Sequence, residues 1–185
     1  MENLEDLRQA CQNCDRCALG QTRTNLVFGV GNEKAKLMFV GEGPGEQEDL
    51  QGVPFVGRAG KLLDDMLAMF DLNRSDVYIA NIVKCRPPKN RDPLPDEQDA
   101  CYPWLERQIN IVRPRLLVCL GRIAAMRFID PKYRISREHG QWVVRDGMEI
   151  TAIYHPAALL RDPRRRPEAF DDMKEIAAKL KNLDG

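Results

Sequence analysis

The apolar run Leu37–Val40 and the turn Gly41–Gly45 that follows it constrain the fold of this sequence more than any other stretch. Four apolar residues without a polar interruption are typical of a strand buried on both faces. Three glycines and Pro44 in the next five residues require a sharp turn at the carboxyl end of that strand. Because ligands of open α/β sheets bind outside the carboxyl ends of the strands, this turn is a candidate ligand site, with Glu42 as its carboxylate. A tight strand-to-helix connection with an incidental glutamate is the alternative.

Length and charge limit the class of protein. The chain has 185 residues, which predicts one domain over residues 1–185 with a sizeable core. Basic and acidic residues number 28 each, so the net charge is zero and any binding of nucleic acid must rely on local positive patches. No apolar run approaches the roughly 18 residues of a membrane-spanning helix, and the acidic start, Met1–Asp6, is unlike a signal peptide. We expect a cytoplasmic protein that acts as a monomer and has no membrane partner.

Apolar periodicity predicts the remaining elements. Three more buried strands are predicted, at Val77–Val83, Leu116–Gly121 and Ile150–Tyr154. Five helices are predicted, at residues 2–12, 59–70, 96–112, 122–129 and 167–183. A strand fragment at 27–30, an irregular loop at 46–57 and a hairpin turn at 143–147 complete the pattern. Strands that alternate with helices predict an α/β fold, a three-layer α/β/α sandwich with a mainly parallel four-stranded central sheet.

Three polar side chains stand at the carboxyl ends of predicted strands. Glu42 follows the first strand, Asn81 lies near the end of the second, and His155 follows the last. In a parallel sheet such ends converge on one crevice, to which Phe55 in the glycine- and proline-containing loop offers an aromatic ring. Each residue also has a purely structural alternative, because asparagines late in strands and histidines before proline are common in turns and loops. An amide, an imidazole and an aromatic ring together suit a planar heterocycle, in the way that flipped bases are recognised.

Six cysteines in a chain expected to be cytoplasmic favour metal or cluster ligation over disulfides. Cys14 and Cys17 form a Cys-x-x-Cys pair, and 15 residues separate Cys85 from Cys101. These four can close one site if the N-terminal segment packs against the loop that follows the second strand.

The identity of the metal and the roles of the other two cysteines stay open on spacing alone. Cys11 is either a ligand in place of Cys14 or a small apolar residue of the first helix, and Cys119, inside an apolar strand, is expected to be an inert core residue. Four thiolates suit zinc. A 15-residue gap is unlike the two close knuckles of most zinc sites, so the spacing favours an iron–sulfur cluster only weakly. Six unrelated buried cysteines are the structural alternative.

Four motifs in combination resemble the family 4 uracil-DNA glycosylases, the cluster-containing branch of the uracil glycosylase superfamily. Gly41–Gly45 resembles the first motif of that family, Pro54–Gly60 and Asn81–Pro88 are similar to the next two, and His155–Arg161 resembles the last. The resemblance extends over nearly the whole chain, from Cys14 to about Arg161.

The resemblance implies a DNA repair enzyme. Such a glycosylase flips uracil out of single- or double-stranded DNA, hydrolyses its N-glycosidic bond and leaves an abasic site. The resemblance also implies a 4Fe–4S cluster on Cys14, Cys17, Cys85 and Cys101. The extra thiol of Cys11 is the one departure from the family pattern.

Cleavage between uracil N1 and the deoxyribose places positive charge on the sugar and negative charge on the departing base. We expect His155 to donate to uracil O2, Asn81 to bind the N3/O4 edge and Phe55 to stack on the ring. Backbone groups of Gly41–Gly43 would complete the base contacts. Glu42 would orient the attacking water or stabilise the sugar cation.

Contacts with DNA are expected on both sides of this site. Leu159 and Leu160 are a candidate wedge for the gap that the flipped base leaves, although an apolar pair at the start of a helix is the structural alternative. Glu48 is either a residue that excludes the thymine methyl group or a solvated surface acid. Phosphates are expected to bind the basic residues around the site, which are Lys84, Arg86, Lys89, Arg91, Arg161, Arg164, Arg165 and Arg166.

A non-catalytic uracil- or DNA-binding relative with a structural iron–sulfur cluster is the alternative function. Some relatives capture uracil covalently through a histidine beyond the second strand. Here the only histidines are His139 and His155, and residues 86–112 contain none, which argues against covalent capture. A nucleotide-binding protein without DNA chemistry is disfavoured, because the glycine turn lacks the Lys-Ser/Thr of a P-loop.

Overall fold

A six-stranded sheet forms the middle layer of the computed structural model, which describes residues 1–185. The strands are β1 (Val30–Gly31), β2 (Leu37–Gly41), β3 (Tyr78–Asn81), β4 (Leu116–Leu120), β5 (Val143–Arg145) and β6 (Met148–Ile153), in the order β1-β3-β2-β4-β6-β5. The four predicted strands are the central, parallel ones, while β1 and β5 pair antiparallel at the two edges. The predicted number of four strands was therefore too small, because edge strands of two and three residues are too short to be recognised as strands of the sheet from their sequence.

Nine α-helices surround the sheet. They are α1 (Leu4–Cys11), α2 (Leu19–Thr22), α3 (Glu46–Gln51), α4 (Arg58–Ala68), α5 (Pro95–Val112), α6 (Arg122–Phe128), α7 (Ile135–Glu138), α8 (Pro156–Arg161) and α9 (Arg166–Asn182). The five predicted helices are all present, with ends within two residues of the prediction. The four additional helices have only four or six residues, too few to show a helical period. One of them, α3, corrects the prediction of an irregular loop over 46–57.

Side chains alternate along each central strand between two apolar layers, which confirms the three-layer sandwich. Met38 and Val40 of β2 join the layer formed with α1, α5 and α6. Leu37 and Phe39 join the layer formed with α4, α8 and α9. Cys119 of β4 is fully buried in the first layer, as expected for a core residue. No helix of the structure is both long enough and apolar enough to cross a membrane.

The carboxyl ends of the central strands position the predicted site residues. In the parallel β2–β3 pair, Gly41 lies directly opposite Asn81. The β6 strand ends at Ile153, two residues before His155, and β4 lies between β2 and β6. The three strand ends predicted to share a crevice therefore face the same edge of the sheet.

Candidate active site and thiol cavity

Gly41, Phe55, Asn81 and His155 form a single cluster, which we call the strand-end site. A Cβ atom on Gly41 would lie 2.5 Å from Asn81 Oδ1 and 2.6 Å from Phe55 Cζ. The rings of Phe55 and His155 are nearly parallel, with centroids 5.5 Å apart and an interplanar angle of 29°. The glycine therefore leaves the space into which an amide, an imidazole and an aromatic ring converge.

Asn81 supplies the strongest indication that the strand-end site binds a ligand. Its side chain is only 2% exposed, and its Oδ1 atom has no hydrogen-bond partner in the protein. A buried amide oxygen without a partner is costly, so such an atom calls for a donor from outside the chain. A planar heterocycle with an N–H next to a carbonyl group would satisfy both ends of this side chain.

His155 is neutral, and its hydrogen bonds determine its tautomer. It caps the N-terminus of α8, where its Nδ1 atom accepts a 3.0 Å hydrogen bond from the backbone N–H of Ala157. Burial, with a smaller contribution from Arg161, lowers the pKa of His155 to about 4. A neutral imidazole that accepts at Nδ1 carries its proton on Nε2, so it can donate a hydrogen bond from that atom.

The loop that carries Phe55 is fixed from two sides. Phe55 itself has a positive φ of 53°, and its carbonyl oxygen, like that of Pro54, accepts a hydrogen bond from the Arg74 guanidinium. Glu48 accepts hydrogen bonds from the backbone N–H groups of Gly45, Val56 and Gly57 at 3.0, 3.3 and 3.0 Å. Glu48 is therefore not a solvated surface acid, because its Oε2 atom holds this loop and its Oε1 atom holds the turn before α3.

Glu42 lies beside a second carboxylate that the sequence did not indicate. Burial and the neighbouring Asp92 raise the pKa of Glu42 to about 7, against the opposite effects of Arg122 and Arg161. Asp92 is also paired with Arg122. Because Asp92 lies in the loop before α5 and belongs to no motif, only the folded chain brings it next to Glu42.

The structure places two of the residues expected to contact DNA, Leu159 and Lys84, in the interior of the protein. Leu159 is 1% exposed and packs in the core between α8 and the sheet, so the prediction that it is a wedge was wrong. Leu160, the next residue of α8, is half-exposed, and Arg161 at the end of that helix is exposed. Arg86 is half-exposed and donates to Asn90 Oδ1 at 2.8 Å. Lys84 is fully buried and cannot contact phosphates, contrary to the expectation from its charge.

Four of the six cysteines line one cavity, which we call the thiol cavity. These are the four predicted as ligands, Cys14, Cys17, Cys85 and Cys101. Cys11 is fully buried in α1 and does not line the cavity. The arrangement favours Cys14 over Cys11 as the partner of Cys17.

Three of these thiols receive hydrogen bonds from N–H groups. Trp104 Nε1 donates to Cys14 Sγ at 3.2 Å, and Arg23 Nη1 donates to Cys85 Sγ at 3.2 Å. The Cys101 Sγ atom accepts from a backbone N–H at 3.3 Å. Donors and a guanidinium directed at sulfur stabilise thiolates, which are the form that binds metals.

The donor set of the thiol cavity fits a cluster of several metal atoms. No three cysteine, histidine, aspartate or glutamate side chains lie close enough together to hold one metal ion. Four cysteines around one cavity match the number and type of ligands that hold an iron–sulfur cluster. The cavity joins the N-terminal segment to the chain after β3 and to α5, as expected from the sequence.

Comparisons with known proteins agree with this architecture. The family model of the Uracil DNA glycosylase superfamily matches residues 28–181, and the chain therefore belongs to that superfamily.

Sequence identity to known proteins identifies the branch of the superfamily to which the chain belongs. The chain is 50% identical to the type-4 uracil-DNA glycosylase of Archaeoglobus fulgidus, over 95% of this chain and 92% of that protein. It is 45% identical to the type-4 enzyme of Sulfurisphaera tokodaii, over 95% of this chain and 84% of that protein. It is also 45% identical to the type-4 enzyme of Thermotoga maritima, over 87% of this chain and 85% of that protein. Within the superfamily, the chain is thus a member of the type-4 uracil-DNA glycosylases.

Proposed function

We propose that this protein removes uracil from DNA by hydrolysing the bond between uracil N1 and the deoxyribose, at the strand-end site. The observation that carries the proposal is the buried Oδ1 atom of Asn81, which has no partner and lies next to Gly41 and Phe55. Membership of the type-4 uracil-DNA glycosylases supports the same reaction.

Recognition of the base falls to Asn81 and Phe55. Uracil presents an N3–H donor beside the O4 acceptor, so Asn81 Oδ1 would accept from N3 while its amide nitrogen donates to O4. Cytosine has the reverse pattern at that edge and would leave both amide atoms unsatisfied. Phe55, held in place by Arg74 and Glu48, would stack on the flipped ring.

Departure of the base is assisted by His155. When the C1′–N1 bond breaks, its electron pair leaves with uracil and negative charge accumulates on O2. The Nε2–H group of a neutral His155 would donate to that oxygen, and such a pre-aimed donor is most effective in the transition state. The uracil anion then takes a proton from solvent.

Glu42 acts on the sugar side. As its anion it would attract the developing positive charge at C1′ and orient the water that adds there. The proton that water loses on forming the C1′–O bond passes to solvent. Both actions require the ionised carboxylate, and the pKa of Glu42, raised to about 7 by burial and Asp92, makes ionisation depend on pH in the neutral range.

The thiol cavity is proposed to hold a 4Fe–4S cluster on Cys14, Cys17, Cys85 and Cys101. A cluster there would cross-link three separate parts of the chain. DNA would be bound by Arg86, Leu160 and Arg161, which lie at half-exposed or exposed positions.

Uracil release from an oligonucleotide with one uracil tests the function. We expect wild-type protein, prepared anaerobically, to leave an alkali-labile abasic site, and to leave none in the matched oligonucleotide with cytosine. His155→Ala should lose this activity. Binding of the uracil oligonucleotide by iron-loaded wild-type protein without base release would identify a non-catalytic binder instead.

A further inference from the structure

Lys84 is a buried cation without an anionic partner. Its side chain has no solvent exposure, and Nζ donates to the backbone oxygen of Asn81 at 3.1 Å and to Gln108 Oε1 at 2.5 Å. Both acceptors are neutral, and no carboxylate forms an ion pair with this lysine. A buried ammonium is stabilised by a compensating negative charge, which neither of these two acceptors supplies.

The main chain of the same residue belongs to the thiol cavity. The backbone N–H of Lys84 donates to Cys101 Sγ at 3.3 Å, and Lys84 lines the cavity next to Cys85. One residue therefore contacts a thiol with its backbone and the main chain of Asn81 with its side chain. Thiolates that carry a metal centre would supply the negative charge that the ammonium lacks.

Gln108 makes this arrangement rigid. Its Nε2 atom donates to the backbone oxygen of Phe28 at 2.8 Å and to the hydroxyl of Tyr78 at 3.0 Å, which leaves Oε1 directed at Lys84. The ammonium is thus held between a fixed acceptor on α5 and the end of β3. A shift of Lys84 would move the backbone of Asn81, and with it the amide that lies beside Gly41.

We infer that Lys84 is a positioning residue, which holds Asn81 in its base-binding conformation and couples it to an anionic centre in the thiol cavity. The inference rests on the proposed function for the role of Asn81. In this role Lys84 contacts no substrate. It links the charge in the thiol cavity to the position of Asn81 in the strand-end site.

The test compares Lys84→Met with Lys34→Met, a matched control at an exposed lysine of the turn before β2. Methionine keeps most of the length of the lysine side chain but has neither its charge nor its hydrogen bonds. Thermal unfolding and iron content are measured first, and rates are expressed per iron-loaded molecule. The readouts are kcat and KM on the uracil oligonucleotide, the inhibition constant of free uracil, and the reduction potential of the bound centre.

For Lys84→Met we expect kcat to fall at least tenfold and inhibition by free uracil to weaken by a similar factor. KM for DNA should stay within twofold, because the lysine does not reach the surface. Loss of a neighbouring positive charge should make the centre harder to reduce, so the potential becomes more negative. Lys34→Met should match wild type in every readout.

A Lys84→Met protein with wild-type kcat, free-uracil inhibition and potential would overturn the inference, as would one in which only KM rises. If this variant does not fold, Gln108→Leu takes its place, because it removes one of the two acceptors that hold the ammonium. It should lower kcat and weaken inhibition by free uracil as Lys84→Met does, and wild-type values of both would overturn the inference. Failure of the proposed function has a different signature, since wild-type protein would then release no uracil. In that case an unchanged reduction potential in the lysine variant overturns the inference separately.

Discussion

The Nδ1 atom of His155 accepts a hydrogen bond from the backbone N–H of Ala157, two residues further along the chain. This contact serves two purposes at once. It caps α8, and it requires the imidazole proton to be on Nε2, the nitrogen that remains free to donate.

The two roles of His155 can be separated by substitution. Asparagine is a good N-cap and can still accept from Ala157, but it lacks the Nε2–H donor, whereas alanine lacks both functions. We expect His155→Asn to keep wild-type thermal stability and to lose about 100- to 1,000-fold in kcat, as for removal of one transition-state donor. His155→Ala should lose similar activity and in addition about 1 kcal/mol of stability. Single-turnover rates and thermal unfolding of both variants are the measurements, and an active His155→Asn would remove the imidazole from the leaving-group role.

The pH profile should report on Glu42 and Asp92. Because burial and Asp92 raise the pKa of Glu42 to about 7, the ionised form is the minority at lower pH, and kcat/KM should rise through neutral pH. Asp92→Asn removes the nearby negative charge and releases Arg122 from its ion pair, so the pKa of Glu42 falls and the rise moves to lower pH. In Glu42→Gln, kcat/KM should not show this rise with pH. If kcat/KM of Asp92→Asn rises at the same pH as that of wild type, a group other than Glu42 controls the pH dependence.

The positions of the strand-end residues could be predicted from the sequence, because the carboxyl ends of parallel strands lie at the same edge of a sheet. Once β2 and β3 are neighbours, Gly41 and Asn81 must lie side by side, and the crossover to β6 brings His155 to the same edge. Arg74 and Asp92 were not predictable in this way. Both lie in loops, where no periodicity relates sequence distance to spatial distance, and each acts on a site residue from a remote part of the chain.

Leu159 and Lys84 show where residue type alone is misleading. A leucine after a site histidine suits a wedge, but the short helix α8 rotates Leu159 into the core and leaves Leu160 outside. A lysine in a basic stretch suits phosphate binding, but the turn after β3 directs Lys84 inward, toward Gln108. In both cases the orientation of a short element decides the role, and that orientation depends on packing rather than on composition.

Asn81→Ala should abolish uracil release with little effect on the fold. Its Oδ1 atom makes no hydrogen bond within the protein, so the substitution leaves no other group without its partner. We expect the melting temperature to stay close to that of wild type, or to rise. Parallel measurements of uracil release and thermal unfolding test this, and retention of the wild-type rate would exclude Asn81 from base recognition.

Gly41→Ala tests whether the strand-end site has room for a base. Gly41 has no positive φ, so alanine fits the backbone, yet its Cβ atom would lie 2.5 Å from Asn81 Oδ1 and 2.6 Å from Phe55 Cζ. We expect the amide and the ring to be displaced and both uracil release and inhibition by free uracil to be lost. Gly57→Ala is the matched control, since the nearest atom to its Cβ would be the end of the Glu48 side chain, at 3.3 Å, and the next, on Gln47, would be at 3.8 Å. Equal activity of the two variants would contradict the placement of the base at Gly41.

Serine substitutions should distinguish the cysteines of the thiol cavity from the two core cysteines. Cys14, Cys17, Cys85 and Cys101 line the cavity, so replacement of any one removes a thiolate and should lower iron content and visible absorption. Cys11 lies in the packed face of α1 and does not line the cavity, so its thiol is not placed to bind a centre there. Cys11→Ser should therefore retain its iron and show only a modest loss of stability, from placing a hydroxyl in an apolar layer. Iron loss in Cys11→Ser together with retention in Cys14→Ser would instead make Cys11 the ligand, and the N-terminal segment would then have to shift to bring it to the cavity.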